Sequence, residues 1–147
     1  MADDLDINVF RPDRPGIRKV LGDLEADVME AIWERPIGAG ITVRDVFEKL
    51  YKGRSIAYTT VMTTMNRLAK KRLLRAEKDD QAFVYYANFT QDEFVLRFVG
   101  RILEDLMVSF AGPTLDRLDH LPDQQAAERA RQLLDEIARR RAEEEQE

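Results

Sequence analysis

The feature that most constrains this 147-residue chain is a threonine-rich segment at residues 57–72, AYTTVMTTMNRLAKKR. Val61, Met65 and Leu68 recur at helical spacing, which predicts a helix with one buried face. Threonine is a poor helix former, so four threonines in one helix call for a functional reason. A second face carries hydroxyls and an amide and turns basic towards its C-terminal end. It comprises Thr59, Thr60, Thr63, Asn66, Arg67, Lys70 and Lys71.

These residue types suit the major groove of duplex DNA. Hydroxyls and amides can hydrogen-bond base edges, threonine methyls can touch thymine methyls, and Arg and Lys neutralise phosphates. The same periodicity would also occur in a solvated amphipathic helix without a ligand. The segment by itself leaves both interpretations open.

The net charge of −5 is distributed unevenly along the chain. Residues 49–78 hold nine basic residues against one acidic residue, Glu77, whereas residues 90–147 hold eight basic and fourteen acidic residues. Binding to nucleic acid depends on local rather than global charge. Chance clustering on a solvated surface is the alternative, but the basic segment coincides with the unusual helix, which favours a nucleic-acid interface.

Composition excludes several classes of function. The chain has no cysteine, which excludes disulfides, thiol redox chemistry and Cys-ligated zinc. Its one histidine, His120, has no nucleophile constellation around it, and carboxylates alone are a weak basis for a transition-metal site. We therefore predict a protein that is not an enzyme and that holds no cofactor or metal.

No apolar run approaches the roughly 20 residues that span a bilayer. The acidic N-terminus lacks the apolar core of a signal peptide. We expect a soluble, cytoplasmic protein without membrane insertion.

The residues before the threonine-rich helix predict a helix-turn-helix. Residues 23–35 and 43–51 have the periodicity of amphipathic helices, and Thr42 with Asp45 forms the capping pattern of the second. A short turn at Lys52–Ser55 leads into the third helix. Two helices joined by a short glycine-containing turn form the frame of a helix-turn-helix.

The residues after the threonine-rich helix predict a wing. The periodicity changes from 3.6 to about 2, which indicates strands at 73–78 and 83–87 with a short loop between them. Three helices followed by a hairpin make a winged helix. The predicted fold class is therefore mainly α with a small β-hairpin (α+β), comprising a winged helix-turn-helix domain and a C-terminal helical dimerisation region.

The predicted DNA-binding side chains lie on the third helix, at its flanks and on the wing. The wing cations are placed beside the groove, near phosphates. Tyr58 is a phosphate-contact candidate whose alternative role is packing against the second helix. The full set is Thr42, Arg54, Tyr58, Thr59, Thr60, Thr63, Asn66, Arg67, Lys70, Lys71, Arg72, Arg75 and Lys78.

Three regions are predicted along the chain. Residues 1–20 form a flexible arm, either a disordered leader or one whose basic side chains reach the minor groove. Residues 21–89 form the winged-helix domain, and residues 90–147 form a helical region too apolar for an exposed monomer. We interpret this region as a homodimer interface, with an intrachain helical hairpin as the alternative. Its predicted dimerisation residues are Phe94, Phe98, Ile102, Leu106, Phe110, Leu133, Leu134 and Ile137.

Six short motifs carry a resemblance to a known family. They are Leu21–Glu25, Val28–Met29, Ile32–Trp33, Thr42–Val46, Ala57–Thr63 and Arg67–Lys71. In these motifs the chain resembles the BlaI/MecI (penicillinase repressor) family of bacterial transcriptional repressors. The resemblance is tight over residues 21–89 and looser beyond.

The resemblance implies a dimeric, sequence-specific repressor on a double-stranded operator with dyad symmetry, in a β-lactam or cell-wall stress response. It also implies a membrane-bound sensor metalloprotease that cuts the dimerisation helices. The matching bond is Ser109–Phe110, where Ser109 stands in place of the family's Asn. The family's copper-responsive branch carries a cysteine cluster, which this chain lacks. Two alternatives stay open, namely a winged-helix regulator of unrelated genes without a sensor protease and a winged-helix module for protein contact alone.

Overall fold

The computed structural model describes residues 5, 7, 9–120 and 123–146, with backbone only for residues 127, 134 and 141. It confirms a mainly helical fold with one two-stranded antiparallel hairpin. A 3-10 helix at Gly16–Lys19 precedes the elements α1 (Asp23–Trp33), α2 (Val43–Tyr51), α3 (Tyr58–Lys70), β1 (Leu74–Asp79), β2 (Ala82–Ala87), α4 (Gln91–Ser109), α5 (Ala111–Asp119) and α6 (Gln124–Glu145).

The first two helices begin at the predicted residues, Asp23 and Val43. The Thr42 hydroxyl accepts the Asp45 backbone N–H at 3.1 Å, and the Asp45 carboxylate accepts the Thr42 N–H at 3.1 Å. The latter bond lowers the pKa of Asp45 despite its partial burial. At α1 only half of this arrangement forms, because Gly22 has no side chain and donates its N–H to Glu25 at 2.9 Å. Reciprocal capping therefore fixes the start of α2 more firmly than that of α1.

The first of two compact units extends from Met1 to Val95. Its core is built by apolar side chains that α1, α2 and α3 present at helical spacing, together with the hairpin. The side chains with 0% exposure are Ala26, Val28, Met29, Val46, Val61, Met65 and Leu68, together with Phe94 from the start of α4; Ile41, Leu73 and Leu74 beside or in the hairpin are 1% exposed.

The exit from α3 forms a Schellman motif, in which the last carbonyls of the helix are satisfied by two backbone N–H groups. Leu73 donates to Leu68 at 3.1 Å, and Arg72 donates to Ala69 at 3.1 Å. Arg72 adopts the left-handed conformation, with φ of 68°. Because Leu73 belongs to this motif, β1 begins at Leu74 rather than at residue 73 as predicted.

The hairpin is the predicted wing, and a third chain segment is attached to it. Its register runs from Leu74 opposite Ala87 to Asp79 opposite Ala82, so the loop has two residues. Ile41 forms an isolated antiparallel bridge with Tyr85, with N···O distances of 3.0 and 2.8 Å. This bridge ties the wing to the segment that precedes α2.

The N-terminal segment differs from the flexible arm predicted over residues 1–20. The side chains of Ile17 and Val20 are buried, and residues 16–19 form a turn of 3-10 helix beside α1. Leu5 is also buried. These apolar side chains supply the burial that orders a chain terminus.

The second compact unit extends from Leu96 to Glu147. α4 ends at Ser109, and Phe110 leaves the helical conformation with φ of −140°. The sequence predicts this break at Gly112–Pro113 and a helix at 114–118, whereas α5 already begins at Ala111. Pro113 is tolerated in the first turn because N–H groups there have no intrahelical acceptor.

Within the part of the chain that the structure describes, no helix combines the length and the apolar character needed to cross a membrane. Over the same residues, no cluster of three or more His, Asp or Glu side chains is arranged to bind a metal ion.

Candidate nucleic-acid interface

α3 separates into the two faces that the sequence predicts. Val61, Met65 and Leu68 are fully buried in the core of the first unit. Thr64, which lies outside the predicted DNA-binding set, is also buried, at 4% exposure. The outer face of the helix is exposed and carries Tyr58, Thr59, Thr60, Thr63, Asn66, Arg67 and Lys70.

Two of the four threonines satisfy their hydroxyl groups within the helix. Thr63 donates to the Thr59 carbonyl at 2.9 Å, and Thr64 donates to the Thr60 carbonyl at 2.8 Å. This i to i−4 bond occupies the hydroxyl proton, while the oxygen keeps its acceptor capacity. On the outer face, Thr63 therefore presents an acceptor oxygen and a methyl group.

Asn66 links the outer face of α3 to the wing. Its side-chain oxygen accepts a hydrogen bond from the Tyr85 hydroxyl at 2.6 Å. Burial raises the pKa of Tyr85, with a smaller contribution from Tyr58, which keeps this hydroxyl protonated as a donor. Asn66 thus has a structural partner besides its predicted role in base readout, and the bond orients its amide group.

The predicted basic residues do not all face outwards. Lys71 is half-buried and donates to the nearly buried carboxylate of Glu25 at 2.8 Å. Arg54 pairs with Asp27 at 2.7 Å and keeps about half of its side chain exposed. The predicted DNA-binding role of Lys71 stays a prediction, and its ammonium already joins the C-terminal end of α3 to the start of α1.

The two predicted DNA-binding cations of the wing, Arg75 and Lys78, lie on opposite faces of the hairpin. Arg75 lies opposite Tyr86 in the register, with its guanidinium 4.9 Å from the ring centroid and 3.2 Å from the Glu77 carboxylate. Lys78 lies opposite Phe83, on the hairpin face that also carries Tyr85. Because side chains alternate along a strand, Arg75 lies on the other face, away from α3. Strand periodicity alone would have revealed this division.

The remaining flank residues have definite structural roles. Thr42 caps α2, which occupies its hydroxyl in the fold. Tyr58 packs edge-to-face on Phe47 of α2, with 5.5 Å between ring centroids, and remains 43% exposed. Arg72 is exposed at the left-handed position that ends α3. Tyr58 can therefore meet a ligand only with the part of its ring that α2 leaves uncovered.

Sequence reasoning missed the acidic partners of these cations. Glu25 and Asp27 on α1 pair with Lys71, Arg54 and Arg18. Glu25 and Lys71 are 46 residues apart in the sequence, and Asp27 and Arg54 are 27 residues apart. No local sequence signal identifies such pairs.

The predicted dimerisation residues divide between the two units. Phe94 is fully buried in the first unit, with its ring centroid 5.6 Å from that of Trp33. It is therefore corrected to a core residue that no partner chain can reach. Phe98 is buried, Ile102, Leu133 and Ile137 are half-buried, and Leu106 and Phe110 are exposed, whereas the side chain of Leu134 lies outside those described. Ser109, at the predicted cleavage position, is exposed at the end of α4.

The fold and this face define a winged helix-turn-helix protein whose third helix presents a polar, basic surface. Comparison with known proteins then assigns the family. The penicillinase repressor family model matches residues 21–140, and the chain belongs to this family. The resemblance inferred from the sequence motifs is thereby confirmed.

Curated relatives are consistent with this assignment. The transcriptional regulator BlaI of Mycobacterium tuberculosis (strain ATCC 25618 / H37Rv) is 48% identical over 75 residues, covering 51% of this chain and 53% of the relative. The penicillinase repressor of Bacillus licheniformis is 28% identical over 98 residues, covering 61% and 74%, respectively. The chain thus spans about half the length of the Mycobacterium tuberculosis relative. These relatives are named as a transcriptional regulator and a penicillinase repressor, respectively.

A solution structure of monomeric Bacillus licheniformis BlaI, in complex with the blaP half-operator, matches with a TM-score of 0.41. It is 30% identical, and the match covers 50% of this chain and 85% of that one.

Proposed function

We propose that this chain is a transcriptional repressor that binds a dyad-symmetric DNA operator as a homodimer, with α3 in the major groove. The observation that carries the proposal is the outer face of α3, where exposed hydroxyl and amide groups lead into Arg67 and Lys70. Such groups can read base edges and neutralise phosphates on one helix face. The names of the relatives support the same function.

Dimerisation is the second part of the proposal. Large apolar side chains of α4 and α5 are exposed in the second unit, and a second copy of the chain would cover them. Two-fold symmetry would place two α3 helices about 34 Å apart, which is one turn of DNA. The exposed side chains are Leu96, Leu106, Val108, Phe110 and Leu115.

Release by proteolysis is the third part. Ser109 and Phe110 are exposed in a single copy of the chain where α4 ends, so a protease would reach the bond between them when this part of the dimer interface opens. A membrane-bound sensor metalloprotease responding to β-lactams is the partner implied by the family resemblance. A repressor of other genes without such a protease would use the same α3 face.

Titration of the full chain with duplexes tiling the region upstream of its own gene, and with a random duplex, tests the proposal. At several salt concentrations we expect one dyad-symmetric duplex to bind far more tightly, and the affinity for every duplex to fall steeply with salt. Binding that shows neither a preferred duplex nor salt dependence would remove DNA from the function and favour a protein-contact module.

Matched variants of α3 separate base readout from phosphate contact. Thr63→Ala should cost about 1–3 kcal/mol on the preferred duplex and little on the random one, because it removes a base-reading group. Lys70→Ala should weaken both equally and reduce the salt slope by about one. Thr63 is preferred to Asn66 because Asn66→Ala would also remove the hydrogen bond from Tyr85. Equal losses for Thr63→Ala on both duplexes would exclude base readout at this position.

A further inference from the structure

Acidic side chains of α1 lie beside the face of α3 that would meet DNA. A cavity of about 450 Å³ opens between the start of α1 and α3, and Asp23 and Glu25 both line it. The side chain of Asp23 is 63% exposed. A carboxylate left uncompensated here would repel the phosphate backbone. From α3, the cavity is lined by Thr59, Thr60, Thr63, Thr64 and Arg67.

The N-terminal segment supplies the cations that neutralise this edge. The Arg14 guanidinium donates to the Asp23 carboxylate. Arg18 donates to the Asp23 carbonyl at 2.9 Å and to its carboxylate at 3.2 Å. The second terminal nitrogen of Arg18 donates to the Asp27 carboxylate at 2.6 Å. Arg54 donates to the other oxygen of the same carboxylate. With Lys71 on Glu25, each of these three carboxylates of α1 is paired with a cation from another segment.

The segment that carries these arginines is held in place by its own contacts. Lys19 donates its ammonium group to the carbonyls of Pro12, at 2.8 Å, and Arg14. The Arg11 backbone N–H donates to the Lys19 carbonyl at 2.7 Å, which closes this loop. The adjacent Ile17 side chain is buried in the first unit. Arg14 and Arg18 are therefore positioned side chains rather than members of a loose basic tail.

The carboxylates of Asp23 and Asp27 remain ionised, so pairing and not protonation must neutralise them. The hydrogen bond from Arg14 lowers the pKa of Asp23. Burial alone would raise the pKa of Asp27, but the bonds from Arg18 and Arg54 outweigh this effect and lower it.

We propose that the segment before α1 is a working part of the DNA-binding unit, in which Arg14 and Arg18 mask the carboxylates of Asp23 and Asp27 so that phosphates can approach the edge of α3. The match to the penicillinase repressor family begins at residue 21, so this segment lies outside it. Both arginines act indirectly: they neutralise the carboxylates that they pair with and do not themselves contact the DNA. The inference rests on DNA binding as the proposed function.

A double-mutant cycle on the full chain tests the masking. The probe is a random-sequence duplex titrated at several KCl concentrations, because phosphate repulsion does not depend on base sequence. Arg14→Ala should weaken binding by about three- to tenfold at low salt, with a smaller loss at high salt. Asp23→Asn alone should change the affinity little, because the carboxylate that it removes is already masked, and Arg14→Ala in the Asp23→Asn background should likewise cost little.

The outcomes separate the alternatives. An equal loss on Arg14→Ala in both backgrounds would mean that Arg14 contacts phosphate directly or acts only on stability, and it would overturn the masking. No loss on Arg14→Ala while the parent chain binds would overturn it as well. A parent chain without salt-dependent binding would instead remove the proposed function, and with it this inference.

Arg140 provides the matched control. It pairs with Glu136 on α6 at 2.8 Å and is 69% exposed, so Arg140→Ala removes the same charge from an ion pair outside α1 and α3. We expect this variant to bind the random duplex as the parent chain does. Thermal unfolding of each variant, followed by circular dichroism, verifies that the fold is retained. Tighter binding by the Arg14→Ala/Asp23→Asn double variant than by Arg14→Ala alone is a readout that loss of fold cannot produce.

Discussion

At the scale of single residues, Arg72 stands where a glycine would be more stable. The left-handed position that ends a Schellman motif is usually occupied by glycine, because a Cβ atom there costs roughly 1 kcal/mol. Arg72 holds this position with φ of 68°, and its carbonyl accepts the Asn88 side-chain amide at 2.8 Å. The exposed side chain of Arg72 thus occupies a position with a backbone cost, and it is one of the cations that we predict to contact DNA.

Arg72→Gly should therefore separate stability from binding. The backbone strain is relieved, so thermal unfolding should show unchanged stability or a gain of up to about 1 kcal/mol. DNA affinity should fall on specific and random duplexes alike, with a salt slope lower by about one. Lys70→Ala is the control, because it removes a charge from the same end of α3 without a change in backbone preference. Unchanged binding by Arg72→Gly would show that its guanidinium is not used on DNA.

At the scale of elements, the wing is positioned by close backbone contact with the segment that precedes α2. A Cβ atom at Gly40 would lie 2.4 Å from Val84 Cγ1 and 3.0 Å from two atoms of the Tyr86 ring. Only glycine allows β2 to approach this closely. The next residue, Ile41, makes the bridge to Tyr85, whose hydroxyl bonds Asn66 on α3. The position of the wing relative to α3 thus depends on the absence of one side chain.

Gly40→Ala should destabilise the first unit by about 1–3 kcal/mol, because the new methyl group forces β2 or its side chains to move. Chemical denaturation measures the loss. Gly38→Ala is the matched control for added volume, since no atom lies within 4 Å of its ideal Cβ. That control has its own backbone cost, because Gly38 has φ of 85°. A Gly40→Ala variant as stable as the parent chain would indicate that the hairpin can move away without cost.

At the scale of the whole molecule, the chain divides into a winged-helix unit that ends at Val95 and a helical unit that begins at Leu96. Phe94 belongs to the first, where it packs on Trp33. The indole N–H of Trp33 donates to the Phe89 carbonyl at 2.9 Å. A fragment that retains the complete core of the winged-helix unit must therefore include Phe94 and cannot end at residue 89.

The 1–95 fragment tests whether the second unit joins two winged-helix units into a dimer and thereby raises their affinity for DNA. We expect it to remain folded and to be monomeric by sedimentation. Its operator affinity should fall by about 10²–10⁴-fold, because the second half-site is no longer bound at high effective concentration. Its affinity for a single half-site should equal that of the parent chain at the same salt. A fragment that binds the full operator as tightly as the parent chain would exclude coupling through dimerisation.

Local patterns in the sequence were sufficient for the order of elements, the caps and the two faces of α3. Helical periodicity and the capping bonds of Thr42 span only a few residues, so a linear reading captures them. The bounds of α2 were predicted to the residue, and those of β1 shifted by one because the Schellman motif takes Leu73. The exposed part of the candidate site, from Thr59 to Lys70, was likewise predictable from one helix.

Only the tertiary structure decided which charged and aromatic side chains the fold itself uses. Lys71 pairs with an acid 46 residues away and Arg14 is held against α1, while Phe94 packs on Trp33 rather than facing a partner chain. Ion pairs and ring contacts depend on distances between elements, which no periodicity encodes. The sequence therefore determines the helix that we propose to read a duplex, and packing determines how much of its charge stays exposed.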